Sequence, residues 1–177
     1  MNLELMAMRW LWLEKNCHYV LEQRSPRYHL GSPDVLGVTQ QRYLIEIEIK
    51  RSASDFHADK KKTQRANREF YLKHMPKQFY YLMPRKLAEK LKDKLPEYAG
   101  LMCESENNYT AEVLKVAPVN KLSERLSLKE CVKLCRNMAN HMMSYAQTVD
   151  SMVQHHKHWD TLNFVDLVHA EQGTYQI

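Results

Sequence analysis

No apolar run in this chain approaches the roughly 20 residues that a membrane-spanning helix requires; charge breaks the longest ones well before that length. A soluble protein with no membrane partner is therefore expected. No repeat period is present, which excludes a solenoid or propeller. The first residues, Met1-Asn2-Leu3-Glu4-Leu5, carry an acid where a signal peptide carries basic residues, and no small-residue cleavage site follows. That predicts a cytoplasmic location. Cysteine is scarce: of Cys17, Cys103, Cys131 and Cys135 only the last two lie close together, and a chain of 177 residues can hold a core without disulfides. Reduced thiols are expected, and with no Cys or His pair at a zinc-binding spacing, the tract His155, His156 and His158 is too slight a signal for that metal.

A large charge of one sign is missing too. Lys and Arg number 26 against 21 Asp and Glu, a mild net +5. The distribution is more informative. Residues 50–77 hold nine basic side chains and three acidic ones, a surplus of six that exceeds that of the whole chain.

Leu3, Met6, Trp10 and Leu13 recur at helical steps, so an opening helix spans 3–13 and Asn16 can end it. A short strand is predicted from Cys17 to Glu22, then a loop punctuated by Ser25-Pro26 and Gly31-Ser32-Pro33. Val35 to Val38 begins a second strand, with a hairpin turn at Gln40-Gln41. In Tyr43 to Lys50 apolar and charged residues alternate, which puts Ile45, Ile47 and Ile49 on one face and Glu46, Glu48 and Lys50 on the other, as an exposed row of charges. Ser52 or Ser54 can cap a helix reaching about Tyr71, with Asp55 in its first turn. A strand at 78–83, a helix at 85–94 and strands at 99–103 and 109–116 complete an α/β sandwich around a mixed sheet. Ser127 and Glu130 form a capping box that starts a long helix. On it Leu128, Cys135, Met142 and Val149, and likewise Cys131, Met138, Tyr145 and Met152, repeat every seven residues. Core packing is the expectation for the two cysteines, and a packing or dimer seam for the methionines around them.

Chemistry is concentrated at Pro33-Asp34 and Glu48-Ile49-Lys50. Hydrolysing a phosphodiester at neutral pH needs a cation to offset phosphate charge and a water made nucleophilic beside it, and magnesium supplies both. Magnesium prefers oxygen ligands and keeps several waters, so carboxylates on rigid strands suit it. Asp34 and Glu48 sit at the ends of two strands joined by a turn, where they can meet. Lys50, two residues beyond Glu48, projects from the same face toward the attacking water, which it can orient or deprotonate.

These residues resemble the signature of the PD-(D/E)XK nuclease superfamily. More narrowly, residues 34–118 are similar to the MmcB-like family of DNA-repair nucleases. The similarity rests on Asp34-Val35-Leu36, Ile47-Glu48-Ile49-Lys50, Ser52 with Asp55-Phe56, Asp59 with Lys61, Phe79-Tyr80-Tyr81-Leu82-Met83-Pro84, Ala99-Gly100-Leu101 and Ala111-Glu112-Val113-Leu114. Where that family usually has a tryptophan after the helix lysine, this chain has Lys62, and its segment 63–77 is longer.

The resemblance implies a restriction-endonuclease-like α/β core over residues 1–120, with a mixed central sheet flanked by helices, and a helical arm over 121–177. It implies a magnesium-dependent deoxyribonuclease, with manganese able to substitute, acting in DNA repair, recombination or processing. Asp34, Glu48 and Lys50 would be catalytic. Asp34, Glu48 and Ile49 would hold the ion, with Glu22 as a further ligand and Glu46 a weaker candidate. Arg51, Ser52, Lys60, Lys61, Lys62, Arg65 and Arg68 would contact DNA; Lys61, Arg65 and Arg68 form one helical stripe. Each has an ordinary alternative: a solvated strand face for the acids, a solvated helix face for the stripe, capping for Ser52. Two other classes compete with the enzyme: a DNA-binding module of the same fold without turnover, and an interaction subunit, with a homodimer formed through the long helix.

Overall fold

The fold is that of a computed structural model, which describes residues 2–22, 33–63, 73–107 and 109–172. Its elements run α1 (Leu3–Leu13), β1 (Tyr19–Glu22), β2 (Val35–Val38), β3 (Leu44–Ile49), α2 (Ala53–Thr63), β4 (Gln78–Met83), α3 (Arg85–Leu91), β5 (Ala99–Glu104), β6 (Ala111–Lys115) and α4 (Leu128–Gln172). The strands form one six-stranded sheet in sequence order. The central pairs β3·β4 and β4·β5 are parallel and the rest antiparallel. The α/β class, the mixed sheet flanked by helices and the long carboxy-terminal helix are as expected. The chain divides into two compact units, Met1–Lys133 and Leu134–Ile177.

Alternation within the strands gives the sheet two different faces. On one, Ile45, Ile47, Ile49, Tyr80 and Leu82 form a core with Leu3, Met6 and Trp10 of α1, and Trp10 meets Tyr80 edge-on at 5.2 Å between ring centroids. On the other, Tyr81, Met83, Leu101 and Cys103 pack with Phe56 of α2 and with Ala88 and Leu91 of α3. The expectation that Glu46, Glu48 and Lys50 form an exposed row is overturned: both glutamates are half-buried and Lys50 is 4% exposed. Register pairs Glu48 with Tyr81 on that second face, and helices cover it, so alternation alone misjudges its access to water.

Local chemistry sets the element ends. Asn2 caps α1 by accepting the Leu5 N–H at 2.9 Å. Asn16, in the left-handed region at φ 47°, turns the chain out of the helix, so β1 starts at Tyr19 instead of Cys17. Ser52, not Ser54, caps α2, its Oγ accepting the Asp55 N–H at 3.2 Å; the expected continuation past Thr63 falls outside the described residues. The helix expected over 85–94 closes as a 3-10 turn at Lys92–Lys94. Ser127 and Glu130 form the reciprocal cap of α4, with bonds of 3.2 and 2.7 Å.

The helix α4 runs well past His155, where the seven-residue period fades. Its cysteines are not core residues as expected: Cys131 is half-buried and Cys135 exposed. Leu128, Met142 and Met152 are 73%, 71% and 68% exposed. A seven-residue period specifies a neighbouring helix as its partner, not a sheet face.

At Gly100 the chain tolerates no side chain. A Cβ there would lie 2.5 Å from the Tyr80 ring and 2.7 Å from the Ala117 backbone nitrogen, and neither a buried ring nor a backbone atom can retreat. Gly100→Ala is expected to cost about 1–3 kcal/mol, read as a lower urea midpoint at unchanged slope. An unchanged midpoint would show that the Tyr80 ring and the chain at Ala117 can give way.

Candidate active site

Antiparallel register pairs Val35 with Ile47, so Asp34, the next residue out, falls beside Glu48 at the open end of β3. Its carboxylate is pinned there: Oδ2 accepts the Ile49 N–H at 2.7 Å. Glu48 Oε1 in turn accepts from the Lys50 ammonium at 2.8 Å, while Asp55 Oδ1 of α2 lies 3.9 Å from the same nitrogen. Backbone pairing of Lys50 N–H with the Leu82 carbonyl, at 3.0 Å, fixes where the lysine leaves the sheet. The three expected catalytic residues are thus gathered in one corner, with the amine almost fully buried among carboxylates.

A divalent cation is the group whose fit must be tested. Asp34 and Glu48 offer hard carboxylate oxygens, and Ile49, whose side chain is apolar, could add only its carbonyl. That donor set suits magnesium, which fills its remaining positions with water. Among the described residues no group of three His, Cys, Asp or Glu side chains is placed to hold a metal; a cation here would have Asp34, Glu48 and the Ile49 carbonyl as its protein donors. Backbone register pairs Glu22 with Val35, not Asp34; its side chain lies outside the described residues. Glu46, half-buried, is two residues nearer the strand start.

The expected DNA contacts divide. Arg51 is exposed but engaged, its guanidinium donating to both Glu4 oxygens at 2.7 and 2.8 Å. Burial pulls the Glu4 carboxyl upward, yet the Arg51 hydrogen bond and charge, with a backbone amide, leave it below its ordinary value. Ser52 is accounted for by capping and by its contact with Ser54 Oγ at 2.9 Å. The side chains of Lys60, Lys61 and Lys62, and all of Arg65 and Arg68, lie outside the described residues.

Sequence reasoning missed the contacts of two acids, Asp55 beside Lys50 and Glu4 on Arg51. Asp55 reads as a partner of the helix dipole, and its second role toward Lys50 was legible only in their closeness across a strand-to-helix turn. Glu4 lies 47 positions from Arg51 and gave no signal.

No family model matches the chain, and no curated protein matches it. Among solved structures, a protein of unknown function from Silicibacter pomeroyi is similar with a TM-score of 0.54 and 22% identity, over 84% of this chain and 92% of that one. At that identity the likeness speaks for the fold alone. Among the described residues no helix is long and apolar enough to cross a membrane.

The buried thiols make stability depend on alkaline pH. Burial pushes both Cys17 and Cys103 up to about 11 from an ordinary 9.0. Below pH 9 folded and unfolded chains both hold these protons. Between 9 and about 11 the unfolded chain loses them first, so stability falls as pH rises through that window. Urea midpoints at pH 8 and 10.5 should show the decline, with Cys17→Ala and Cys103→Ala variants flatter; parallel curves for all three proteins would contradict it.

Proposed function

We propose that this protein is a magnesium-dependent nuclease that hydrolyses DNA phosphodiesters, in the manner of the PD-(D/E)XK proteins its motif resembles. The observation that carries this is the joint placement of Asp34, anchored by the Ile49 amide at 2.7 Å, and of Lys50, anchored by Glu48 at 2.8 Å. Two oxygen donors at the ends of adjacent strands and one sequestered amine are the parts that phosphodiester hydrolysis asks for.

Asp34, Glu48 and the Ile49 carbonyl would hold the ion. When bound, magnesium offsets negative charge on the phosphate and makes a nearby water more acidic. Lys50 does the rest of the positioning. Held by Glu48 and Asp55, its ammonium keeps three donors in a fixed place, from which it can orient the attacking water and stabilise charge building on the phosphoryl oxygens. Asp34 cannot rotate away without giving up the Ile49 amide.

The test is incubation of purified protein with supercoiled, single-stranded and branched DNA in magnesium or manganese. Nicks or shortened strands that disappear with chelator support the reading. Intact DNA of every form with either ion overturns it. A role in DNA repair and a cytoplasmic site of action belong to this same proposal.

A second copy of the chain is the partner proposed for α4. Its exposed Leu128, Met142, Val149 and Met152 follow a period in which no charged residue falls on the seam, so identical helices can pair without repulsion. Light scattering should give twice the chain mass, and the single chain mass for Met142→Asp. A monomeric wild type at tens of micromolar would remove the homodimer.

A further inference from the structure

At the opposite end of β3 from the carboxylates, three separate segments meet. The turn before β3 brings Arg42 and Tyr43, the segment before β4 brings Lys73 and Lys77, and the strap after β6 brings Lys121 and Arg125. Backbone bonds fasten them together. Leu126 N–H donates to the Arg42 carbonyl at 2.8 Å, Glu124 N–H to that of Lys73 at 2.9 Å and Asn120 N–H to that of Lys77 at 2.9 Å. Ser123, itself buried, donates its hydroxyl to the Met75 carbonyl at 2.8 Å.

Two of the cations lie against Tyr43. The Lys77 ammonium lies 4.5 Å from its ring centroid and the Arg125 guanidinium 5.4 Å, and Arg125 Nε donates to the phenol oxygen at 3.2 Å. That hydrogen bond, with the charges of Arg125 and Lys77, holds the phenol below its ordinary value. Arg42 is set by a left-handed backbone at φ 66°. The three segments, 40–43, 73–77 and 117–126, contain five Lys and Arg side chains and one acid, Glu124, a local surplus of four against a net +5 for the whole chain. Among the described residues no ion pair involves Arg42, Lys73, Lys77 or Lys121.

We propose that the cluster of Arg42, Tyr43, Lys73, Lys77, Lys121 and Arg125 is a second nucleic-acid-binding surface, gripping the phosphate backbone of a strand away from the carboxylate corner. Cations interleaved with an aromatic ring are the chemistry that tracks a nucleic acid backbone without reading its sequence. The six residues of β3 separate the two places by roughly 17–20 Å at about 3.3 Å per residue, a distance several nucleotides can span. Assembly from three segments joined by backbone bonds fixes the main-chain positions from which the cations project.

The inference takes its ligand class from the proposed function, and its test is kept separate from cleavage. A fluorescein-labelled 20-nucleotide DNA strand is titrated with the full chain in chelator, so that nothing is cut, and anisotropy is read across a salt series. Lys73→Glu with Lys121→Glu, both exposed, and Lys77→Glu with Arg125→Glu are each expected to weaken binding at least about 10-fold. Each is also expected to flatten the dependence of log affinity on log salt by about 0.7 for every phosphate that is no longer neutralised. Unchanged affinity and slope in both double variants, with melting temperatures intact, overturn the proposal. So does a polyglutamate peptide that displaces the strand as well as unlabelled DNA of equal charge, because the surface would then suit acidic chains in general. Binding that depends on this cluster in a protein that cuts nothing would uphold the surface while refuting the nuclease.

Discussion

Replacing Lys50 with alanine is expected to lower magnesium-dependent DNA cleavage by about 10²–10⁴-fold, the usual contribution of a positioned acid, base or proton-orienting group. An ammonium that is 4% exposed is costly to place unless something compensates, and here the compensation is a 2.8 Å bond to Glu48 and the nearby Asp55 carboxylate. Such an arrangement fixes the nitrogen within a small volume, which a water-orienting group needs and a solvated surface lysine does not have. Removal of the amine also takes a charged hydrogen bond from Glu48, a loss of about 1.5–3 kcal/mol. Activity therefore has to be compared with stability: single-turnover cleavage below the melting temperature of the variant isolates the chemical loss. Wild-type rates from a folded Lys50→Ala protein would remove Lys50 from the site and with it the motif.

Asp34→Asn should separate ion holding from architecture. Asparagine keeps an oxygen that can accept the Ile49 N–H, so the strand end is expected to hold its shape, with little change in melting temperature. What disappears is one negative charge at the proposed ion site. The loss in manganese affinity, read by calorimetric titration, should be at least about 10- to 100-fold, the range that loss of even an outer ligand partner produces. Cleavage should fall with it and recover partly at high magnesium. Unaltered manganese binding would mean that the ion, if held at all, is held elsewhere.

Much of this corner was legible in the sequence because it depends on short-range rules. Two-residue alternation put Glu48 and Lys50 on one face of a strand, a turn at Gln40-Gln41 returned the chain toward Asp34, and a serine followed by Asp55 announced the next helix. The six-strand order follows the chain, so each pairing joins neighbours in sequence or a short crossover. Packing was not legible. An alternating charged row reads as solvated until helices such as α2 and α3 are known to cover that face, and covering changes Lys50 from a surface cation to a sequestered one. The same blindness worked in reverse on α4, where Cys131 and Cys135 read as core and are half-buried and exposed.

The sequence alone determined the order of elements, the cap that starts α4 and the pairing of Asp34 with the Glu48 strand, since each follows from backbone periodicity and hydrogen-bond chemistry within a few residues. Only tertiary structure decided that Glu4 engages Arg51 and that Asp55 faces Lys50. It alone brought Lys77 and Arg125 around Tyr43 from segments more than 30 residues apart. Long-range contacts depend on how sheet and helices stack, and no local pattern records which side chains that stacking will bring within reach.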